Sequence, residues 1–413
     1  MRVTSLLRQL IGLKQTVVLG FEFGETALVV DVKPTARAPY CGCCGKRVHQ
    51  VHDERPRSWR HLDFAGLEVH LRYSIRRVDC PTCGTRTELV PWAEPRSGFT
   101  RAFERFVAYL AQRTDQTTIA ALTGIAWRTV GRIVERVVAR QLSGDRLEGL
   151  RHIGIDELSY RRHHQYVTVV TDHEQSAVVW VSEGKSAETV RSFFTELGPE
   201  RTAQIESVTI DLSGAYLQAV QEAAPHAVLV FDRFHVQRLA HDALDAVRRE
   251  QVRQLKGSAE GQALKQTRWA LQKNPWNLTQ PEDEKLAVLA QRNRTVYRGY
   301  LLKESLVGIL DRRQRYVAQR KLDDWYHWAV RSRLAPFKKL ARTIRKHVHG
   351  ILNYISTGFS NGPSEGLNGK IRTITRRAYG CHRVASLVAL SFLCCSTLTL
   401  EPPYRTPQET LPA

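Results

Sequence analysis

The chain has 413 residues, 42% of them hydrophobic, enough to bury real cores in about two to four domains. Lys and Arg outnumber Asp and Glu by 61 to 41, and the resulting charge of +20 is spread along the whole length. That spread favours a broad anionic partner over a single basic tail. Arg8, Gln9, Lys14 and Gln15 interrupt the first twenty residues, which excludes an unbroken signal-peptide core, and no later segment approaches a membrane span.

The segment from about Val17 to Val32 alternates apolar and polar residues around Gly20 and Gly24 and predicts a hairpin. Two Cys-x-x-Cys pairs follow, Cys41/Cys44 and Cys80/Cys83, separated by the strand-rich stretch LEVHLRYSIRRVDC. Two such knuckles supply the closed four-sulfur set that suits structural zinc. Gly45 and Gly84, each just after the second cysteine of its pair, support that choice of thiols. Cys43 stands as an alternative to Cys41 or Cys44, and His49, His52 and His61 are substitute ligands or, more simply, solvated or packing residues. Cys381, Cys394 and Cys395 lie in or near an apolar helix and read as core residues. This cysteine usage fits a reducing cytoplasm better than a disulfide framework. Residues 1–92 are assigned to the zinc module.

From Phe99 to Arg140 the pattern turns helical. A short helix, a turn at Gly124 and a longer helix from about Trp127 predict a helix-turn-helix within 93–148, with Ile119, Leu122 and Ile125 around the turn. Val130, Ile133, Val134 and Val137 form the apolar stripe of the second helix. Trp127, Arg128 and Arg132 fall near its exposed start, where base edges are read.

Strands are predicted near 152–159, 165–171, 177–182, 207–211 and 227–231, with helices near 186–198 and from 214. Three meandering strands, a helix and two further strands fit a ribonuclease-H type of mixed sheet, assigned to 149–238. Residues 239–350 are charged and helical, broken at KNPWNLTQPED and carrying the aromatic cluster Trp325, Tyr326 and Trp328. They read as an all-helical insertion, after which the core resumes over 351–400, ends in VASLVALSFLCC, and leaves a loose tail at 401–413. The fold class expected is therefore multidomain α+β.

Three acidic residues stand where metal-dependent phosphoryl transfer would use them. Asp156 and Asp211 each follow a short β-branched run and read as the polar ends of buried strands, and Glu365 opens a helix-like stretch rich in Lys and Arg. Strand alternation keeps Glu157 from sharing a site with Asp156. Asn361, Glu365, Asn368 and Arg372 are spaced four, three and four and share a helical face. Hard carboxylate oxygens suit Mg²⁺, with Mn²⁺ as a substitute. Asp232 and His235, at an i, i+3 spacing after the next strand, face one side together, as site residues or as a helix cap. Lys370, Arg372, Arg376 and Arg377 read as phosphate clamps.

These blocks, CGCCG and CPTCG, GIDELSYRRHHQYVTVVTD, TIDLSGAY, VFDRFHVQRLAHDALDAVR and NGPSEGLNGKIRTITRRAYGCH, occur in the order seen in bacterial insertion-sequence transposases, and the chain resembles the ISL-three family of the DDE type. The resemblance implies Asp156, Asp211 and Glu365 as an acidic triad with Asp232 and His235 as a neighbouring motif. It also implies double-stranded DNA as partner, both the element's terminal inverted repeats and the target, bound by a homodimer or higher oligomer in a nucleoid-associated, cytoplasmic setting. The rival reading is a non-catalytic DNA-binding regulator that keeps the transposase fold.

Overall fold

The computed structural model describes residues 3–142, 144–161, 165–212, 214–378 and 383–402. Cys381 and residues 403–413 of the tail lie outside them. The chain divides into two compact units, Met1–Leu142 with Ile374–Cys394 and Leu398–Ala413, and Ser143–Thr373 with Cys395–Thr397.

The first unit opens with helix α1 (Val3–Ile11) and the hairpin of β1 (Thr16–Phe23) and β2 (Ala27–Pro34). Strands β3 (Val51–Arg60), β4 (Glu68–Cys80) and β5 (Gly84–Thr87) complete a sheet in the order β1-β2-β4-β3, with β5 paired to β4. Strict alternation on β2 sends Leu28, Val30 and Val32 into a core shared with Val69, Leu71, Trp59 and Trp92. The polar sequence of β3 gives no strand signal of its own; its backbone pairs along β4, so tertiary pairing decides its conformation.

Helices α2 (Arg101–Ala111), α3 (Gln116–Thr123) and α4 (Trp127–Gln141) follow. Thr100 and Asp115 cap α2 and α3 by accepting from the Phe103 and Thr118 amides, and Gly124 ends α3 in the left-handed conformation. Val130, Ile133, Val134 and Val137 are buried as the stripe requires, while Leu122 is 63% exposed and takes no part in that core. Buried Glu104 on α2 accepts from Arg136 at 2.7 Å and pairs with Arg140 at 3.4 Å, tying α2 to α4.

The second unit contains β6 (His152–Arg161), β7 (Gln165–Asp172), β8 (Ala177–Glu183), α5 (Ala187–Leu197), α6 (Pro199–Thr202), β9 (Ser207–Ile210), α7 (Gly214–Ala223) and β10 (Val228–Phe231). The sheet runs β10-β9-β6-β7-β8, parallel from β10 to β6 and antiparallel from β6 to β8. Ile153 and Ile155 point into a core with Val208, Ile210, Phe193 and Tyr216. Gly154 and Asp156 therefore face the opposite side of the sheet.

Helices then run without a strand among the described residues: α8 (Arg233–Gln254), α9 (Ala259–Gln266), α10 (Arg268–Gln272), α11 (Gln280–Arg292), α12 (Arg294–Leu310), α13 (Arg315–Arg331), α14 (Ala335–Lys346), α15 (Val348–Thr357), α16 (Gly362–Arg377) and α17 (Val384–Cys395). The expected break is a single turn at Pro275–Asn277, closed by a Thr279/Glu282 capping box. Trp325 is buried and donates its indole N–H to the Leu302 carbonyl at 2.8 Å, whereas Trp328 is exposed. Gly350 lets α15 lie directly on the Phe231 ring, where a Cβ would overlap it.

In the first unit His61 is buried, with Nε2 at 3.2 Å from the Ile11 carbonyl and Nδ1 at 2.8 Å from the Thr100 hydroxyl. A carbonyl only accepts, so Nε2 carries a proton, and burial disfavours the charged form of the ring. Burial lowers its pKa to about 4. A histidine with a depressed folded pKa contributes stability that is complete above its unfolded value, near 6.5, and is lost as pH falls towards 4. We expect a loss of roughly 2–4 kcal/mol from this residue over that window. Thermal unfolding of His61→Gln should decline less than wild type between pH 6.5 and 4; parallel declines would refute the assignment.

Candidate active site and metal centres

Strand register puts three carboxylates level with one another. Ile155 of β6 pairs with Ile210 of β9, and Ile210 pairs with Phe231 of β10. The next residue on each is Asp156, Asp211 and Asp232. All three mark the end of parallel pairing, where ligand sites of open α/β sheets form. Asp156 is not at the end of its strand, as its phrase suggested: β6 continues to Arg161 against β7, and only the pairing with β9 stops.

Glu365 arrives on α16, whose first turns lie over the Gly154/Asp156 face of β6. A Cβ on Gly154 would overlap Ser364 Oγ and His173 Nε2 and come within 2.8 Å of Asn361 Oδ1. The seat is fixed by Thr171 Oγ1 and Ser364 Oγ at 2.5 Å, and by the Asn368 amide donating to Asp156 Oδ2 at 2.7 Å. The other Asp156 oxygen accepts from the Glu157 amide at 2.8 Å.

Asp232 is fully buried and caps α8, with Oδ1 accepting from the Phe234 amide. Its Oδ2 has no hydrogen-bond partner and stands 3.8 Å from His235 Nε2. Asp232, His235 and Glu365 each offer an atom to a group lying within 4.8 Å of one another. Burial raises the pKa of Asp156, Asp232 and Glu365, and the charge of Asp232 raises Glu365 further. Buried atoms without partners gather here too: Asp232 Oδ2, both side-chain polar atoms of Asn361, Asn368 Oδ1, and Thr209 Oγ1 on the strand beside Gly154. Hard oxygen donors, crowded and short of a counter-charge, fit a divalent cation.

Asp156 and Asp211 stand beside that three-residue group rather than in it. Asp211 is half-buried, and its charge, with those of Glu157 and Asp156, adds to the burial that raises the Tyr216 hydroxyl pKa. Asn361 and Asn368 are buried, so their amides face the site instead of solvent. Lys370, Arg372 and Arg376 are exposed, and Arg377 donates to the Ala111 carbonyl at the end of α2 at 3.2 Å. Sequence reasoning missed Gly154, Thr171 and Ser364, whose small side chains carry no chemical signal, and Phe234, which is exposed beside Asp232. Trp127, Arg128 and Arg132 are exposed at the start of α4.

The sulfur atoms of Cys41, Cys44, Cys80 and Cys83 form a second group within 4.8 Å, with Cys44 and Cys80 3.7 Å apart. The Cys43 amide donates to Cys41 Sγ, while Gly45 and Gly84 both adopt positive φ to close the knuckles. Amides of Thr82 and Cys83 draw the Cys80 pKa down to about 7, whereas the crowding thiols, Cys44 first, push Cys83 up. Four such donors fit tetrahedral zinc. Among the histidines, His49 and His52 are exposed and His61 belongs to the packed core.

Carboxylates collected at a sheet edge share this chain with a cysteine knuckle pair and a helix-turn-helix, and the relatives identify the class as transposases, DNA-processing proteins. Residues 153–391 match a transposase domain model, residues 88–138 the helix-turn-helix domain of transposase family ISL3, and residues 37–83 the zinc finger of transposases IS204/IS1001/IS1096/IS1165. The transposase for insertion sequence element IS1557 of Mycobacterium tuberculosis is 38% identical, covering 95% of this chain and 96% of the relative. That for IS1001 of Bordetella parapertussis is 30% identical, covering 86% and 88%. The chain belongs to the ISL3 family of transposases. No helix among the described residues is long and apolar enough to cross a membrane.

Two outcomes test the site's construction. Gly154→Val should lift α16 from its seat, destabilising the fold by about 1–3 kcal/mol, with Ser364 and Asn368 amides losing exchange protection; unchanged protection would discount the seat. Asp232→Asn removes a buried, incompletely paired charge, so in magnesium-free buffer its melting temperature should rise, by an amount equivalent to roughly 1–3 kcal/mol. Added Mg²⁺ should then stabilise wild type more than the variant. Equal magnesium responses would remove Asp232 from the site.

Proposed function

We propose that this transposase is a DDE-type enzyme that binds the terminal inverted repeats of an insertion sequence and catalyses Mg²⁺-dependent cleavage and strand transfer. The supporting observation is the placement of carboxylates from β6, the ends of β9 and β10, and α16 at one end of the sheet, where Asp232, His235 and Glu365 offer atoms within 4.8 Å of one another. In this reading the mixed sheet is a ribonuclease-H-like core and the helices between β10 and α16 are an insertion into it. Asp156, Asp211 and Glu365 are the metal-holding triad, with Asp232 and His235 completing the site. Bound divalent ions would supply charge to activate an attacking water or DNA 3′-hydroxyl and to stabilise the departing oxygen.

The chain's own groups prepare that chemistry. Asn368 holds Asp156 in one orientation through a 2.7 Å hydrogen bond. The first turn of α8 fixes Asp232 and turns its free oxygen towards His235 and Glu365. Exposed Lys370, Arg372 and Arg376 follow Glu365 on α16 and would hold the phosphates flanking the scissile bond. The helix-turn-helix would read the repeats through Trp127, Arg128 and Arg132, on a module stabilised by structural zinc. Joining two element ends to one target requires more than one active site, hence a homodimer or higher oligomer on DNA.

Strand transfer with purified protein, Mg²⁺ and labelled, precut element ends tests this reading. Wild type should form joined products, and Glu365→Gln and Asp211→Asn should lower them by roughly 100-fold or more while still binding the ends. Full joining by Asp211→Asn would discard that triad. Specific binding without cleavage or joining, in Mg²⁺ and in Mn²⁺, would identify a DNA-binding regulator instead.

A further inference from the structure

A cavity of about 600 Å³ lies beside the first cysteine knuckle, lined by Arg57, Arg86 and Arg96, by Glu88 and Glu94, and by the edge of Trp59 with neighbouring apolar residues. Its two acids are already committed. Glu88 is gripped by Arg76 at 2.7 Å and by the Tyr73 hydroxyl at 3.0 Å, and Glu94 by Arg101 at 2.7 Å and Arg140 at 3.2 Å. None of those partners lines the cavity.

The three arginines that do line it have no carboxylate partner among the described residues. Arg57 donates to the Ser97 carbonyl at 2.8 Å and lies 5.1 Å from the Trp59 ring centroid, half-buried with no counter-charge. Arg86 reaches only the carbonyl of its neighbour Thr85, at 3.3 Å. Arg96 stands at the tip of a turn closed by the Ser97 amide donating to the Glu94 carbonyl at 3.1 Å. Pro95 takes the second position of that turn and Arg96 the third, with φ of +63°. The third position of such a turn, at positive φ, is normally given to glycine or asparagine. An arginine held there, against its backbone preference, is a local strain of the kind that gathers at ligand sites.

We propose that this cavity binds one unpaired nucleotide of a DNA strand, its phosphate on the three guanidiniums and its sugar and base against the apolar wall. The inference rests on the reading of the chain as a DNA-binding transposase. Guanidinium forks match phosphate oxygens. The volume is that of a small-ligand site and far exceeds a bare phosphate. A paired, stacked base does not enter a cavity of this size, so the nucleotide must be extrahelical or single-stranded.

Fluorescence anisotropy of the zinc-loaded full chain on two labelled duplexes tests the assignment, one blunt and one with a short thymidine overhang. Wild type should bind the overhang duplex about tenfold more tightly, with a salt slope steeper by about one per engaged arginine. Arg96→Gly relieves the backbone and removes the charge, so it should melt no lower than wild type yet lose the overhang gain while keeping blunt-duplex affinity. Arg86→Ala, an exposed position, should lose part of the same gain. A gain that survives Arg96→Gly, or no gain in wild type that binds blunt duplex, would overturn this inference alone. Binding to neither duplex would overturn the DNA reading with it. Saturation by free thymidine monophosphate without an overhang gain would assign the cavity to a free nucleotide and overturn the strand assignment.

Discussion

The missing side chain of Gly154 is the constraint on which the acidic face of the sheet depends. The sheet alone can bring Asp156, Asp211 and Asp232 level, because they continue strands paired in register. It cannot supply Glu365, which lies more than a hundred residues further on and must be delivered by a helix. That helix approaches closely only because β6 presents bare backbone beneath Ser364 and Asn361. Once seated, α16 contributes Asn368 to Asp156 and Glu365 to Asp232 in one placement, so a single packing contact sets the spacing of the acidic group.

The seat creates an electrostatic deficit that the protein does not settle internally. Two helix N-termini help, since Asp232 caps α8 and Glu365 lies in the first turn of α16. Each such placement stabilises a carboxylate by about 0.3–1 kcal/mol, up to roughly 2 in partly buried geometry. The penalty for taking a carboxylate out of water is several kcal/mol per ion. Desolvation therefore wins, as the raised pKa values of Asp156, Asp232 and Glu365 record. A purely structural network would be expected to satisfy its own atoms, whereas here Asp232 Oδ2 and the Asn361 amide are left over.

Much of this was legible in the sequence, and the limits have physical causes. The short β-branched run before Asp211 reads as a buried strand and is one, and the two-residue strand period separates Asp156, which is buried, from half-buried Glu157. The knuckle glycines showed themselves because positive φ is required at both. Registry was not legible: nothing local says that Ile155, Ile210 and Phe231 lie side by side. That registry, with the capping geometry of α8, brings Asp232 and His235 forward from a neighbouring motif to the group that encloses Glu365. Helical spacing placed Asn361, Glu365, Asn368 and Arg372 on one face, but the width of that face was hidden. The asparagines are buried against the sheet while Arg372 is exposed. Strand β3 was invisible because its polar sequence takes its conformation from β4.

The two units pose opposite versions of one problem. In the second, carboxylates crowd at one sheet edge; in the first, three arginines share a cavity whose acids are bound elsewhere. The charge of +20 makes the latter easy to dismiss as ordinary surface basicity. Backbone geometry argues against that dismissal. Arg96 occupies, at φ of +63°, the turn position where glycine would relieve strain; Arg333 shares that backbone region at φ of +65°, and of the two only Arg96 lines the cavity. Strain of this kind persists only where the surrounding structure over-determines it. Here Pro95, the Glu94–Ser97 turn bond and the Arg57–Ser97 bond do so. The same reasoning that finds the surroundings of Asp232 suited to a cation therefore finds those of Arg96 suited to an anion.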